Sequence, residues 1–155
     1  MRLHRRESGF SLLELIVVLA IAAIGAAVAA ASFTRTSAIA NLRESSVDTA
    51  AAVRRKATSA LGGSAGTFSI ERDGLVRPGL TVNPKYIPPP PGTEPANEIA
   101  FEGGSGNAHV DGRRAVASLV LCEEGQREFA YAIVCGTAGR VELRTYSDGE
   151  WRPFQ

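Results

Sequence analysis

Apolar and small residues dominate the chain from Phe10 to Phe33, and Glu14 is the one charge among them. A run of this length exceeds the roughly 20 residues that an α-helix needs to cross a bilayer. Arg2, Arg5 and Arg6 precede it, and no further arginine or lysine comes before Arg35. That bias predicts a cytoplasmic leader and a chain body on the far side of the membrane. Beyond Phe33 the period changes. Apolar or small residues recur at Ile39, Leu42, Ser46, Ala50, Val53, Ala57 and Leu61, while Arg43, Glu44, Asp48, Arg54, Arg55 and Lys56 fall largely elsewhere. Spacings of three and four predict an amphipathic helix with a thin apolar stripe. Gly62-Gly63 ends it. Because no proline interrupts residues 10–61, one long helix is expected, its first half in lipid and its second half packed on a sheet. Gly25 is its weak point, costing up to about 1 kcal/mol relative to alanine.

After Gly63 short strand-like runs alternate with turns. Thr67 to Glu71 and Leu75-Val76 flank Arg72-Asp73-Gly74 and read as a hairpin. From Asn83 to Asn97 come Pro84, four consecutive prolines from Pro88 to Pro91, and Pro95, a content that excludes a helix or an inner strand. Four prolines in a row favour a stiff, extended surface loop that serves as a connection. Glu98 to Phe101 is a short strand and Gly103 to Gly112 a glycine-rich loop. Ala115 to Cys122, Phe129 to Cys135 and Arg140 to Tyr146 then form an antiparallel meander. There are no internal repeats.

A carboxylate such as Glu14 inside a membrane helix costs about 2.5–3.5 kcal/mol on insertion scales, so its presence calls for a compensating interaction. An ordinary secretory signal ending at Ala29-Ala30-Ala31 does not fit, since its apolar core spans about 7–15 residues. A plain membrane anchor accounts for the length but not for Gly9, Phe10 and Glu14 together. The basic leader, Gly9-Phe10 and Phe10-Ser11-Leu12-Leu13-Glu14-Leu15 resemble the class III signal of type IV pilins and type II secretion pseudopilins. That resemblance implies cleavage by a prepilin peptidase between Gly9 and Phe10 and N-methylation of Phe10. Glu14 then falls on the family's fifth mature residue. A buried carboxylate of this kind can pair with an exposed α-amine between subunits during filament assembly.

The second half is similar to the H-type minor pseudopilins and FimT-type minor pilins, through Ile99-Ala100-Phe101, the glycine-rich loop, Leu119-Val120-Leu121-Cys122 and Gly139-Arg140-Val141. The implied fold is α+β, a long N-terminal helix on two antiparallel sheets. The implied division is a leader over 1–9, a transmembrane and polymerisation half-helix over 10–33, an amphipathic half-helix over 34–61 and a periplasmic β domain over 62–155. The expected role is assembly into the tip of a type II secretion pseudopilus or type IV pilus. Expected partners are the prepilin peptidase, other minor and major pilins or pseudopilins, the bacterial inner membrane and secreted cargo. The alternative implied by the FimT-type likeness is DNA uptake through a C-terminal Gly-Arg-x-Arg motif. Here that stretch is Gly139-Arg140-Val141-Glu142, with Arg144 beyond it, so a glutamate replaces the second arginine. On a strand Arg140, Glu142 and Arg144 share one face, and a carboxylate between two guanidiniums weakens their pull on phosphate. Nucleic acid is therefore not the expected partner.

Composition narrows the chemistry further. Losing residues 1–9 removes three arginines and one glutamate and leaves 14 basic and 15 acidic groups, a balance without general attraction for polyanions. Ser105, His109 and Asp111 share one glycine-rich loop with nothing to fix a relay among them. His109 alone survives leader removal, so no histidine pair is left for zinc. Glu123, Glu124 and Glu128 flank a turn and fall short of the six or more oxygens that calcium takes. Neither a catalytic site nor a cofactor or metal is expected. Cys122 and Cys135 would lie in an oxidising space. A tight turn over Glu123 to Glu128 places Cys122 opposite Phe129 and Cys135 opposite Val116. That separation is roughly 20 Å, well beyond disulfide reach, so two unpaired, buried thiols are expected.

Overall fold

The computed structural model describes residues 11–73 and 77–154. One helix, α1 (Leu12–Leu61), is followed by β1 (Gly66–Ser69), β2 (Leu80–Val82), β3 (Glu94–Pro95), β4 (Glu98–Phe101) and β5 (Ala108–Val110). The strands continue with β6 (Arg113–Arg114), β7 (Ala117–Glu123), β8 (Phe129–Cys135), β9 (Val141–Ser147) and β10 (Glu150–Pro153). The chain divides into two compact units with the boundary between Ser37 and Ala38, inside α1. The expected α+β architecture of one long helix with antiparallel sheets is what the chain adopts.

The helix ends as its glycines predict. Ser64 N donates to Ser59 O and Gly63 N to Ala60 O, with Gly63 at φ 97°, the double bond of a Schellman cap. Within the second unit α1 buries Leu42, Ser45, Ser46, Thr49, Ala50, Val53, Ala57 and Ala60. Small residues dominate this face. Ser46 and Thr49 satisfy their hydroxyls on the carbonyls of Leu42 and Ser45, each at 2.7 Å. Of the expected stripe, Ile39 is only partly covered and Leu61 is exposed.

The large sheet has the order β10-β9-β8-β7-β2, with β3 parallel to β7. Its core is the expected meander of β7, β8 and β9. The register differs by one residue from the expected one. Ala117 pairs with Cys135 and Leu121 with Tyr131, so the next pair sets Cys122 level with Ala130 and not Phe129. In the turn after Glu123, Gln126 N donates to Glu123 O and Gly125 takes φ 81°. A one-residue slip exchanges the faces of all side chains on a strand. Cys135 consequently packs with Leu119, Leu121 and Ile133 in the main core, and Cys122 with Val120, Ala130 and Ala132 on the opposite face. Both thiols are free and buried.

The small sheet runs β1-β4-β5-β6. Here β1 pairs with β4, and Asp73 closes a turn back to Ser69 through both its backbone N–H and its carboxylate. Leu75-Val76, the second arm of the expected hairpin, lies outside the described residues. The glycine-rich stretch contains a strand that the sequence pattern hid, β5, with Ala108 and Val110 buried. The proline segment is more than a connection. Pro84, Ile87 and Pro90 are buried, and Ile87 joins Val120, Cys122, Ala130 and Ala132, with Tyr146 and Trp151 against them. The segment thus covers the face of the large sheet that α1 leaves open.

Candidate functional site

In the first unit Ser11 precedes the helix and caps it. Its Oγ accepts the N–H of Glu14 at 3.3 Å, and its carbonyl accepts that of Leu15 at 3.1 Å. Glu14 stands three residues after the cap, where the positive end of the helix dipole favours a carboxylate. Gly9 and Phe10, the expected processing pair, lie outside the described residues. Among the described residues no large side chain of the apolar run is covered. Leu12, Leu13, Leu15, Ile16, Val17, Val18, Leu19, Ile21, Ile24, Val28 and Phe33 are all exposed, Leu12 at 77% and Phe33 at 75%. Full burial of each such side chain is worth about 1.5–3 kcal/mol, so the run demands an apolar environment. By length and composition the helix is able to cross a membrane, its best window having a mean hydropathy of 2.7.

At the β8–β9 turn the structure brings Arg140, Glu142 and Arg144 together. The Glu142 carboxylate pairs with Arg140 and, at 3.2 Å, with Arg144. These three side chains line a shallow cavity of about 210 Å³ with Val116, Val134, Gly136 and Thr137. From the helix, Arg54 Nη2 donates to Val141 O at 3.3 Å, a cation at this end of the sheet that sequence spacing did not point to. Surface pairs of this kind add little stability. Their larger effect is electrostatic, since one carboxylate occupies two guanidiniums.

The Ser105, His109 and Asp111 constellation resolves into a different network. Ser105 Oγ and Asn107 Nδ2 both donate to Glu102 Oε2, and His109 Nε2 lies 3.9 Å from the same oxygen. The carboxylate therefore sits between serine and imidazole, whereas a nucleophilic relay needs the imidazole on the hydroxyl. Asp111 occupies a turn at φ 50°. Hydrogen bonds from Ser105 and Asn107 hold the Glu102 carboxyl below the usual carboxylate range. Asn107, which the sequence analysis did not single out, is the centre of this network. Its Oδ1 accepts from Arg114 and from the backbone of Ala138, both at 3.1 Å, so it ties the β4–β5 loop to the β8–β9 turn.

The thiols are not poised for chemistry. Burial pushes the Cys135 thiol up to about 12 and raises that of Cys122 as well, the reverse of what an active nucleophile requires. Among the described residues no three of histidine, cysteine, aspartate and glutamate converge to hold a metal ion.

Residues 4–30 match a family model described as the prokaryotic N-terminal methylation motif. The matched stretch includes Gly9, Phe10 and Glu14 and most of the apolar run, and it supports a pilin-like class for the chain. No curated protein and no solved structure matches.

Proposed function

We propose that the chain is a minor pseudopilin or minor pilin of the H or FimT type, a membrane-inserted subunit at the initiating tip of a type II secretion pseudopilus or type IV pilus. The observation that carries this reading is the uncovered apolar run with Glu14 in its first turn, continuous with a helix that packs on a β domain. The match over residues 4–30 supports it from the sequence side. Residues 1–9 are the leader removed by prepilin peptidase, and Phe10 becomes the methylated N-terminus. Residues 10–33 hold the subunit in the inner membrane and polymerise it, 34–61 form the wall of the periplasmic domain, and 62–155 supply contacts to neighbouring subunits or secreted cargo.

In this mechanism Glu14 offsets its insertion cost by pairing with the α-amine of a neighbour. The Ser11 hydroxyl takes the N–H of Glu14, which leaves the Glu14 carboxylate for a partner. Assembly, not bond chemistry, is the work of such a chain. Mass spectrometry of the mature protein tests the proposal and should find an N-terminal, methylated Phe10. Retention of Met1, or a start at Ser32, overturns it. Glu14→Ala should still be processed and inserted but should fail to enter filaments, and normal assembly of that variant removes the role given to the carboxylate.

A further inference from the structure

Proline fixes φ near −65°, and a residue that precedes proline is held in the β or polyproline region. Ile87, Pro88, Pro89 and Pro90 all precede a proline, so Pro88 to Pro90 have the left-handed, three-residue turn of polyproline II imposed on them by local chemistry alone. Burial of Ile87 and Pro90 follows that period, and Pro84 is buried at the start of the turn before it. Pro84, Ile87 and Pro90 face the sheet, whereas Lys85, Tyr86, Pro88, Pro89 and Pro91 are exposed. Covering the sheet accounts for the inward residues. It places no demand on Pro88, Pro89 or Pro91.

The exposed side is also held in place. Trp151 Nε1 donates to Pro88 O at 3.0 Å. Thr93 Oγ1 contacts Pro90 O at 2.7 Å and Ser118 Oγ at 2.8 Å. Ahead of the prolines, Asn83 N donates to Val120 O and Asn83 Oδ1 accepts from Val120 N, each at 2.8 Å. Tyr86 is fixed by its hydroxyl, 3.4 Å from Cys122 Sγ, and by the Arg127 guanidinium over its ring. A partner would therefore pay little conformational entropy to engage the segment. Pro88 and Pro91 lie one polyproline turn apart, about 9 Å at 3.1 Å per residue. Lys85, exposed in the turn closed by Ile87 N on Pro84 O, is the one charge in residues 83–93.

We propose that Lys85, Tyr86, Pro88, Pro89 and Pro91 form a docking ridge for a partner protein that offers an aromatic-lined groove with an acidic side chain at one end. The exposed proline rings offer apolar faces and no N–H to a partner, which selects a groove built of tryptophan and tyrosine, whose faces take the rings. The ridge is independent of the membrane helix and of Glu14.

Two measurements test it. The full chain in detergent is titrated into an isotope-labelled WW domain, a probe with one such groove. Amide shifts confined to the groove, with a Kd below about 1 mM, are expected. The combined Pro88→Ser, Pro89→Ser and Pro91→Ser variant should weaken binding by about tenfold or more, while a modest drop in thermal midpoint from the freer unfolded chain leaves it folded because the buried Pro84, Ile87 and Pro90 remain. Absence of shifts, or equal shifts with the triple variant, overturns the proposal. In membranes, Pro89→Cys carrying a photoreactive label should cross-link to a peptide containing tryptophan or tyrosine, and Pro88→Ser with Pro91→Ser should abolish the adduct. Adducts to lipid alone, or adducts indifferent to the serines, also overturn it.

Discussion

Gly106 lies so close to Leu61 that a Cβ on the glycine would come within 2.8 Å of a Leu61 methyl carbon. Gly139 meets the same leucine at 2.9 Å, and Gly139 N donates to Gly106 O at 2.9 Å. The last residue of α1 is therefore gripped by two loops from different sheets, which fixes where the helix ends against the β domain. Its exposure of 45% hides this role.

Gly106→Ala should accordingly be costly. It combines overpacking, about 1–3 kcal/mol, with an L-residue at φ 65°, about 1–2 kcal/mol more. Gly104→Ala is the control, since it shares a positive φ of 87° but points into open space. Thermal unfolding should show the Gly106 variant clearly less stable than the Gly104 variant. Equal losses would mean that strain alone, not contact with Leu61, sets the requirement.

Asn107→Ala removes the acceptor for Arg114 and for the Ala138 N–H, and should destabilise the fold by about 1–3 kcal/mol. It should also change the acid limb. Glu102 has its carboxyl lowered in the folded state, first by Ser105 and then by Asn107. Its contribution is therefore fully present above the unfolded value near 4.5 and is lost as pH falls through the lower folded value. The stability gap between wild type and variant should narrow as pH falls below the unfolded value of 4.5 and through the lower folded one. A gap independent of pH would show that Asn107 acts without Glu102.

The long helix and the meander were legible because both have enough residues for their period to show. Leu42, Ser46, Ala50, Val53 and Ala57 repeat at three and four over several turns, and β7 and β8 are seven residues each. By contrast β5 is three residues among glycines and β3 is two, too short for any pattern to emerge. The register of β7 and β8 depended on how the chain turns between them, which composition does not display. The proline segment was read as extended, but its inward row at Pro84, Ile87 and Pro90 became visible only against the sheet that it covers. As for the candidate site, Glu14 stood out as a lone charge in an apolar run. Asn107 did not, because its meaning comes from Ala138, 31 residues away.

The cysteines follow from the observed register. Cys122 and Cys135 occupy opposite faces of the large sheet, five residues apart along the ladder, roughly 17 Å at 3.3 Å per residue. Non-reducing peptide mapping of the full chain under oxidising conditions should yield no linked Cys122–Cys135 peptide. Thiol reagents should label both residues only after unfolding, since both are buried and the Cys135 thiol is pushed up to about 12. A linked peptide would require a different strand pairing.

Glu142 offers a test of the DNA-uptake alternative. Its carboxylate pairs with both Arg140 and Arg144, while Arg54 reaches Val141 O from the helix, so three guanidiniums and one carboxylate share this end of the sheet. Glu142→Gln keeps the shape and releases two cations. Exposed pairs are worth about 0–1 kcal/mol, so the thermal midpoint should barely move. Binding to duplex DNA should respond more strongly, because each added phosphate contact steepens the dependence of log K on log salt by about 0.9. Wild type should elute from immobilised DNA at low salt, and Glu142→Gln later, with a slope steeper by about one to two contacts. Glu142→Asp, which retains the charge, should elute with wild type. If wild type is itself held at physiological salt with a slope of several contacts, the neutralising role of Glu142 fails and DNA uptake becomes the better account of this surface.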